Sequence, residues 1–231
     1  MRKSCLLILM SFFASLPATA APTLQEALCT AAKSGTPADV AAALSKGAKV
    51  NGRCLNAGSS NALGSALTTA KVDNVRALIK AGANVVGNKD HMPLGYVRNA
   101  ASAELLLQHG AKVNMVDQYN STALMHVTSS LASNFDDFYQ MNENDAVEIA
   151  KVLLAHGASV KHKDEYGGTA LMEAAFACLP NLVGLLIDHG ADVNAKSSGQ
   201  TPLARLENIK DMHPVECGAT EQVLLAHGAT K

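Results

Sequence analysis

Apolar residues in this chain recur in short runs with helical spacing, and each run ends at a glycine. The runs are VAAALSKG (40–47), VRALIKAG (75–82), AELLLQHG (103–110), AKVLLAHG (150–157), VGLLIDHG (183–190) and EQVLLAHG (221–228). Apolar positions three and four apart predict one buried stripe per helix, and the closing Gly suits the left-handed residue after a helix end. An alanine follows each Gly. Upstream of most runs lies a second short element: Asn61-Ala62-Leu63-Gly64, Met92-Pro93-Leu94-Gly95, Thr122-Ala123-Leu124-Met125, Thr169-Ala170-Leu171-Met172 and Thr201-Pro202-Leu203-Ala204. Thr or Asn at its head can cap free helical N–H groups, and Pro fits the first helical turn. Each unit therefore predicts two helices joined by a loop.

The Gly-Ala pairs at 47, 82, 110, 157, 190 and 228 are spaced by 35, 28, 47, 33 and 38 residues. This period near 33, with its two landmarks, resembles the ankyrin repeat family over about residues 23–231. The resemblance implies an all-α solenoid of about six helix-turn-helix repeats with short hairpin fingers between them. A lone helix pair cannot bury its apolar face, so the repeats should form one array in which small pairs such as Ala31-Ala32 and Ala174-Ala175 allow close helix approach.

The copies are unequal. From the cap landmark to Gly, the fifth copy (169 to 190) and the second (61 to 82) span 21 residues, as does the first if Glu26 takes the cap place. The fourth (122 to 157) spans 35, which predicts a 14-residue inter-helix insertion within about 130–145. The sixth (201 to 228) carries six extra residues. The third (92 to 110) lacks three, so one of its helices must be short.

The insertion holds Phe135, Phe138 and Tyr139 around Asp136 and Asp137. Aromatics beside charges in a loop suit a binding hot spot, or they fold back over neighbouring helices. Two fingers share a pattern, Asp117-Gln118-Tyr119 and Asp164-Glu165-Tyr166. The resemblance places Tyr119 and Tyr166 at finger tips. It places Phe176, Arg98 and Thr128 on inner-helix positions facing a concave groove. These are the candidate partner-binding residues.

The first 20 residues read as a leader. Met1-Arg2-Lys3 precedes an apolar stretch over 5–16, and Pro17-Ala18-Thr19-Ala20 puts small residues at a cut after Ala20. That is the pattern of a secretory signal peptide, and the apolar stretch is too short for about 30 Å of hydrocarbon. The expected domains are a signal peptide over 1–20 and one repeat domain over 21–231, located in a bacterial periplasm. In a eukaryotic secretory route, Asn120-Ser121-Thr122 would be a glycosylation sequon. Of 231 residues 48% are hydrophobic and 17% charged, which fits a folded chain. The net charge of −1 gives no electrostatic case for nucleic acid or anionic lipid.

Four cysteines remain after the leader, and an oxidising compartment favours their pairing. Three pairings are possible. In the repeat register Cys29 falls near the start of the first inner helix and Cys54 in the adjoining finger. Cys178 ends the fifth inner helix, and Cys217 lies in the matching helix–helix loop of the sixth. The register thus predicts Cys29–Cys54 and Cys178–Cys217.

No catalytic constellation emerges: there is no G-x-S-x-G, no phosphate-binding glycine loop and no H-E-x-x-H. His109, His156, His189 and His227 occupy equivalent places just before Gly, too far apart to share one metal ion and well placed for helix C-termini. No metal and no cofactor are expected. The chain reads as a non-catalytic binding module. In the periplasm it resembles an immunity protein that occludes a secreted effector or hydrolase attacking cell wall or membrane. The alternative is an accessory of a resident enzyme such as a catalase or peroxidase.

Overall fold

The computed structural model describes residues 22–54, 61–132, 141–210 and 214–231. Eleven α-helices and one 3-10 turn are found among them, and β-pairing there is limited to isolated bridges. The helices follow each other in antiparallel pairs: α1 (Leu24–Ser34) with α2 (Pro37–Ser45), α3 (Ala62–Thr68) with α4 (Val72–Lys80), the 3-10 turn Pro93–Tyr96 with α5 (Ala100–Gln108), α6 (Ala123–Ala132) with α7 (Glu143–Ala155), α8 (Ala170–Phe176) with α9 (Pro180–Asp188), and α10 (Pro202–Lys210) with α11 (Pro214–Ala226). The first members stack on one another to form an inner row. The second members stack as an outer row. This is an all-α repeat solenoid.

Each landmark residue acts as its chemistry dictates. Asn61 Oδ1 accepts from the Gly64 amide at 2.9 Å, and the Thr169 and Thr201 hydroxyls accept from Met172 and Ala204 at 3.3 Å. At the other end, the Gly82 amide bonds the Ile79 carbonyl and the Ala83 amide bonds Leu78, a double closure that needs the left-handed backbone of Gly82 (φ 88°). The amides of Ala111, Ala158, Ala191 and Ala229 close onto Leu106, Leu153, Leu186 and Leu224 in the same way.

A second repeated device joins one pair to the next. Asn51 Nδ2 donates to the Gly82 carbonyl at 3.2 Å while its Oδ1 accepts from the Asn84 amide at 2.8 Å. Asn114 grips Gly157 and Ser159, and Asn194 grips Gly228 and Thr230. Val86 and Lys161 stand at the equivalent places and cannot make this bridge.

Three sequence expectations are corrected. The N-cap of α1 is Thr23, with Glu26 in the third helical position completing a capping box; Glu26 is therefore not the cap, and α1 has 11 residues. Cys29 consequently lies mid-helix. The six extra residues of the last pair lengthen its helices, for α10 and α11 have 9 and 13 residues against 7 and 9 in α8 and α9. Cys217 therefore sits in the first turn of α11 and not in a loop. The deletion in the third pair does shorten a helix, to the single 3-10 turn. In the fourth pair α6 and α7 have 10 and 13 residues; Phe135, Asp136, Asp137, Phe138 and Tyr139, like the leader, lie outside the described residues.

Both cysteine pairs are at disulfide distance, with Cα separations of 5.9 Å for Cys29–Cys54 and 4.7 Å for Cys178–Cys217. They close loops at opposite ends of the array. On the chain-entropy treatment each contributes about 3–4 kcal/mol. Non-reduced peptide mapping should recover both linked pairs, and reduction should lower the urea midpoint without changing the helical content.

Asn74, buried in the first turn of α4, donates from Nδ2 to the carbonyls of Ala31, Ala32 and Gly35 at 3.0–3.1 Å. These carbonyls end α1, and Ala31 also accepts from the Gly35 amide at 2.9 Å, so Asn74 joins the two helices where their backbone is largely buried. Asn74→Ala should reduce the unfolding free energy by about 2 kcal/mol, read from urea titration of the circular dichroism signal.

Candidate partner-binding face

The fingers are built around two aspartates. Asp117 Oδ1 accepts from the amides of Tyr119 and Ser121, both at 2.9 Å. Asp164 Oδ1 accepts from Tyr166 at 2.9 Å and Gly168 at 2.7 Å. A carboxylate oxygen two bonds beyond Cβ suits these Asx turns. Each turn leaves a tyrosine at the tip, and Tyr119 and Tyr166 are 52% and 70% exposed. The two fingers are tied together: the Glu165 amide bonds the Tyr119 carbonyl at 3.1 Å, and Asn120 Nδ2 bonds the Lys163 carbonyl at 2.8 Å. Ser197 Oγ then bonds the Tyr166 carbonyl at 2.7 Å, which joins the next finger. Two large amphipathic rings thus stand on a backbone already fixed, so ordering them against a partner costs only their own rotamers.

Tyr166 is electrostatically engaged. Its phenol is held above the ordinary tyrosine range, chiefly by a hydrogen bond to the Glu165 carboxylate and by that group's charge, with smaller contributions from burial, Tyr119 and Asp164.

Beneath the fingers runs a polar column. The residue four beyond each landmark is Ser65, Tyr96, His126, Glu173 and Arg205 in successive inner elements. Arg205 Nη1 meets Glu173 Oε1 at 2.7 Å, bridging α10 and α8. His126 Nε2 meets Asp117 Oδ2 at 2.9 Å, bracing α6 against its own finger. Tyr96 has its phenol pushed up by burial and then by the charge of Asp117. Both contacts are part-exposed, so they orient side chains more than they stabilise the fold.

Phe176 closes α8 and is 40% exposed. The structure brings Tyr119 and Tyr166 onto adjoining fingers, whereas Phe176 lies a helix length away, about 10 Å. Two inner-helix expectations are corrected. Thr128 is fully buried and donates its hydroxyl to the Met125 carbonyl at 2.7 Å, so it cannot face a groove. Arg98 lies after the 3-10 turn, where the deletion has removed the helix that would have carried it. It is half-buried and donates Nη1 to the Val97 carbonyl at 2.9 Å.

Residues 138–205 match the family model of ankyrin repeats, in three copies. That stretch of the chain carries ankyrin repeats. No curated protein matches its sequence. Ankyrin repeats bind other proteins, and the exposed finger tyrosines and the half-exposed column give this ankyrin array a surface suited to that use.

Among the described residues, no three His, Cys, Asp or Glu side chains converge to hold a metal, and no helix is long and apolar enough to cross a membrane. Two of the histidines before the repeat glycines bond carbonyls at their own helix ends, and a third links α7 to α5. His189 and His227 pair Nδ1 with the Leu185 and Val223 carbonyls at 2.8 Å, and His156 Nε2 meets Glu104 Oε2 at 3.0 Å. Sequence reasoning missed the column and the Asp117–His126 pair. The column's signal was present, since it follows from counting four residues past each landmark, whereas the pair needs the finger folded back over α6.

Because the folded-state phenol of Tyr166 holds its proton tightly, its stabilising contact with Glu165 persists below the usual tyrosine pKa and is lost as pH rises through the raised one. Glu165→Gln should bring the Tyr166 titration down toward that of a free phenol, measured by the pH dependence of the tyrosine ring carbon resonances.

Proposed function

We propose that this ankyrin repeat protein is an exported, non-catalytic binding module of six repeats. In this reading it is a periplasmic immunity protein that occludes an antibacterial effector attacking cell wall or membrane. The observation that carries the reading is the placement of Tyr119 and Tyr166. Both are exposed at the tips of adjoining fingers that are hydrogen-bonded to each other. Exposed rings on a rigid support are what a protein interface uses as anchors. The leader pattern over 1–20 and the cysteine pairs at disulfide distance support an oxidising, exported setting. The aromatics Phe135, Phe138 and Tyr139, with Asp136 and Asp137, supply a second contact region that would enter the effector's cleft. Phe176, exposed at the end of α8, would add a further apolar contact.

The test is affinity capture with the tagged chain, under oxidising conditions, from periplasmic extract and secreted proteins of the source strain. The expected catch is a cell-wall or lipid hydrolase whose activity falls when the chain is added. The combined substitution Tyr119→Ala, Tyr166→Ala and Phe176→Ala should weaken that complex by at least about tenfold. Phe135→Ala, Phe138→Ala and Tyr139→Ala together should do the same. Unchanged affinity in both variants would remove these surfaces from the interface. Capture of a catalase or peroxidase that keeps its activity would replace the immunity role with an accessory one.

A further inference from the structure

The deletion in the third helix pair leaves a small recess between two fingers and the inner row. It is lined by Lys89, Asp90, Met92, Gly95, Tyr96, Asp117, Gln118, Tyr119 and His126, with a volume of about 200 Å³. Pockets for whole small-molecule ligands run from about 300 Å³ upward, so this one has room for a single side chain. Its floor is Gly95. A Cβ there would stand 3.1 Å from Met92 Cε and 3.2 Å from His126 Cδ2, so the glycine lets these two lining side chains pack closely over the floor. One wall holds the Asp117 carboxylate, fixed by the Tyr119 and Ser121 amides and by His126 Nε2 at 2.9 Å. Asp90 is exposed at the rim, and its carboxylate is not used by the turn, which is closed by Asn88 Oδ1. Two phenols line it, the half-buried Tyr96, whose ring centroid lies 5.3 Å from that of His91, and the exposed Tyr119. Lys89 is the one ammonium in this lining, and it is exposed on a flexible stem.

Two carboxylates and two phenol rings around a space for one side chain favour a cation. A planar guanidinium suits them better than an ammonium, because it stacks on an aromatic face while its edge N–H groups reach carboxylate oxygens. We propose that this recess is a specificity pocket for an arginine side chain of the protein partner. The inference rests on the binding-module reading and names the chemistry the partner must present beside the finger tyrosines.

The experiment is a titration of the full chain, followed by NMR of the His126 and tyrosine ring resonances. The probe is N-acetyl-glycyl-arginyl-glycinamide. The comparison peptides carry citrulline, lysine or glutamate in place of arginine. The expected result is saturable shifts of His126, Tyr96 and Tyr119 with the arginine peptide, weaker ones with lysine and none with citrulline. Tyr119→Ala and Asp90→Asn change exposed groups that support no helix. Each should weaken arginine binding by about fivefold while leaving the unfolding midpoint unchanged. Gly95→Ala should reduce binding by displacing the Met92 and His126 side chains that line the recess. Equal shifts with citrulline or glutamate, absence of saturation, or full binding in both exposed variants would overturn the proposal. Because the probe is independent of any natural partner, loss of the immunity reading and loss of the arginine pocket are separate outcomes.

Discussion

The array depends on the turn that ends each outer helix, because one residue there performs two tasks. The carbonyls of Leu78, Leu106, Leu153, Leu186 and Leu224 close the Gly-Ala turns, and all five side chains are fully buried between neighbouring pairs. Helix termination and core packing are thus locked together. A shift of the helix end by one residue would rotate its leucine by about 100° and draw it from the core. The asparagine bridges extend the lock across the joint. Asn51, Asn114 and Asn194 each reach the glycine carbonyl of the following turn, so the register of one pair is passed to the next through polar contacts outside the apolar core.

Not every joint is closed in this way. Lys161 lacks the amide, but there Ser197 binds the Tyr166 carbonyl and the fingers carry the connection. Val86 also lacks it, and the joint it occupies is the one beside which the recess forms. The finger holding Lys89 and Asp90 stands across that recess from the finger holding Asp117 and Tyr119. The missing bridge at Val86 and the recess thus lie on the same finger but not in the same lining, since Val86 faces the cleft with Lys112 and Asn114.

Most of the architecture was legible because its signals are local and repeated. A cap residue, a small apolar element, a leucine run and a Gly-Ala turn each have one physical meaning, and recurrence removes ambiguity. The cysteine pairs followed from register for the same reason. The misreadings arose where two local signals competed. Thr23 and Glu26 both suit the head of α1, and the capping box uses both, with the threonine as cap. Six extra residues before Gly228 read equally as loop or helix, and the apolar spacing of Pro214–Ala226 resolves into helix. Thr128 was placed by analogy of position, whereas its hydroxyl finds an acceptor one turn back and its methyl joins the core. The Asp117–His126 pair and the Asn74 cap were not legible, since each links residues that only tertiary contact brings together.

The regular and irregular parts divide the work of this chain. A uniform ankyrin array would carry no information about its partner beyond a smooth curved surface, because each copy would present the same groups. Here the copies differ where they meet solvent and agree where they meet each other. Tyr119 and Tyr166 stand at equivalent finger positions, but Glu165 engages only the second phenol, so the two tips present different polarity on the same support. His126 and Glu173 occupy equivalent places in α6 and α8, yet one is held by its own finger and the other by the next helix in the row. The column thus passes from an aromatic and acidic end at Tyr96 and Asp117 to an ion pair at Glu173 and Arg205. A partner aligned along the inner row meets this sequence of groups in one direction only, which fixes its polarity on a scaffold whose own repeats do not.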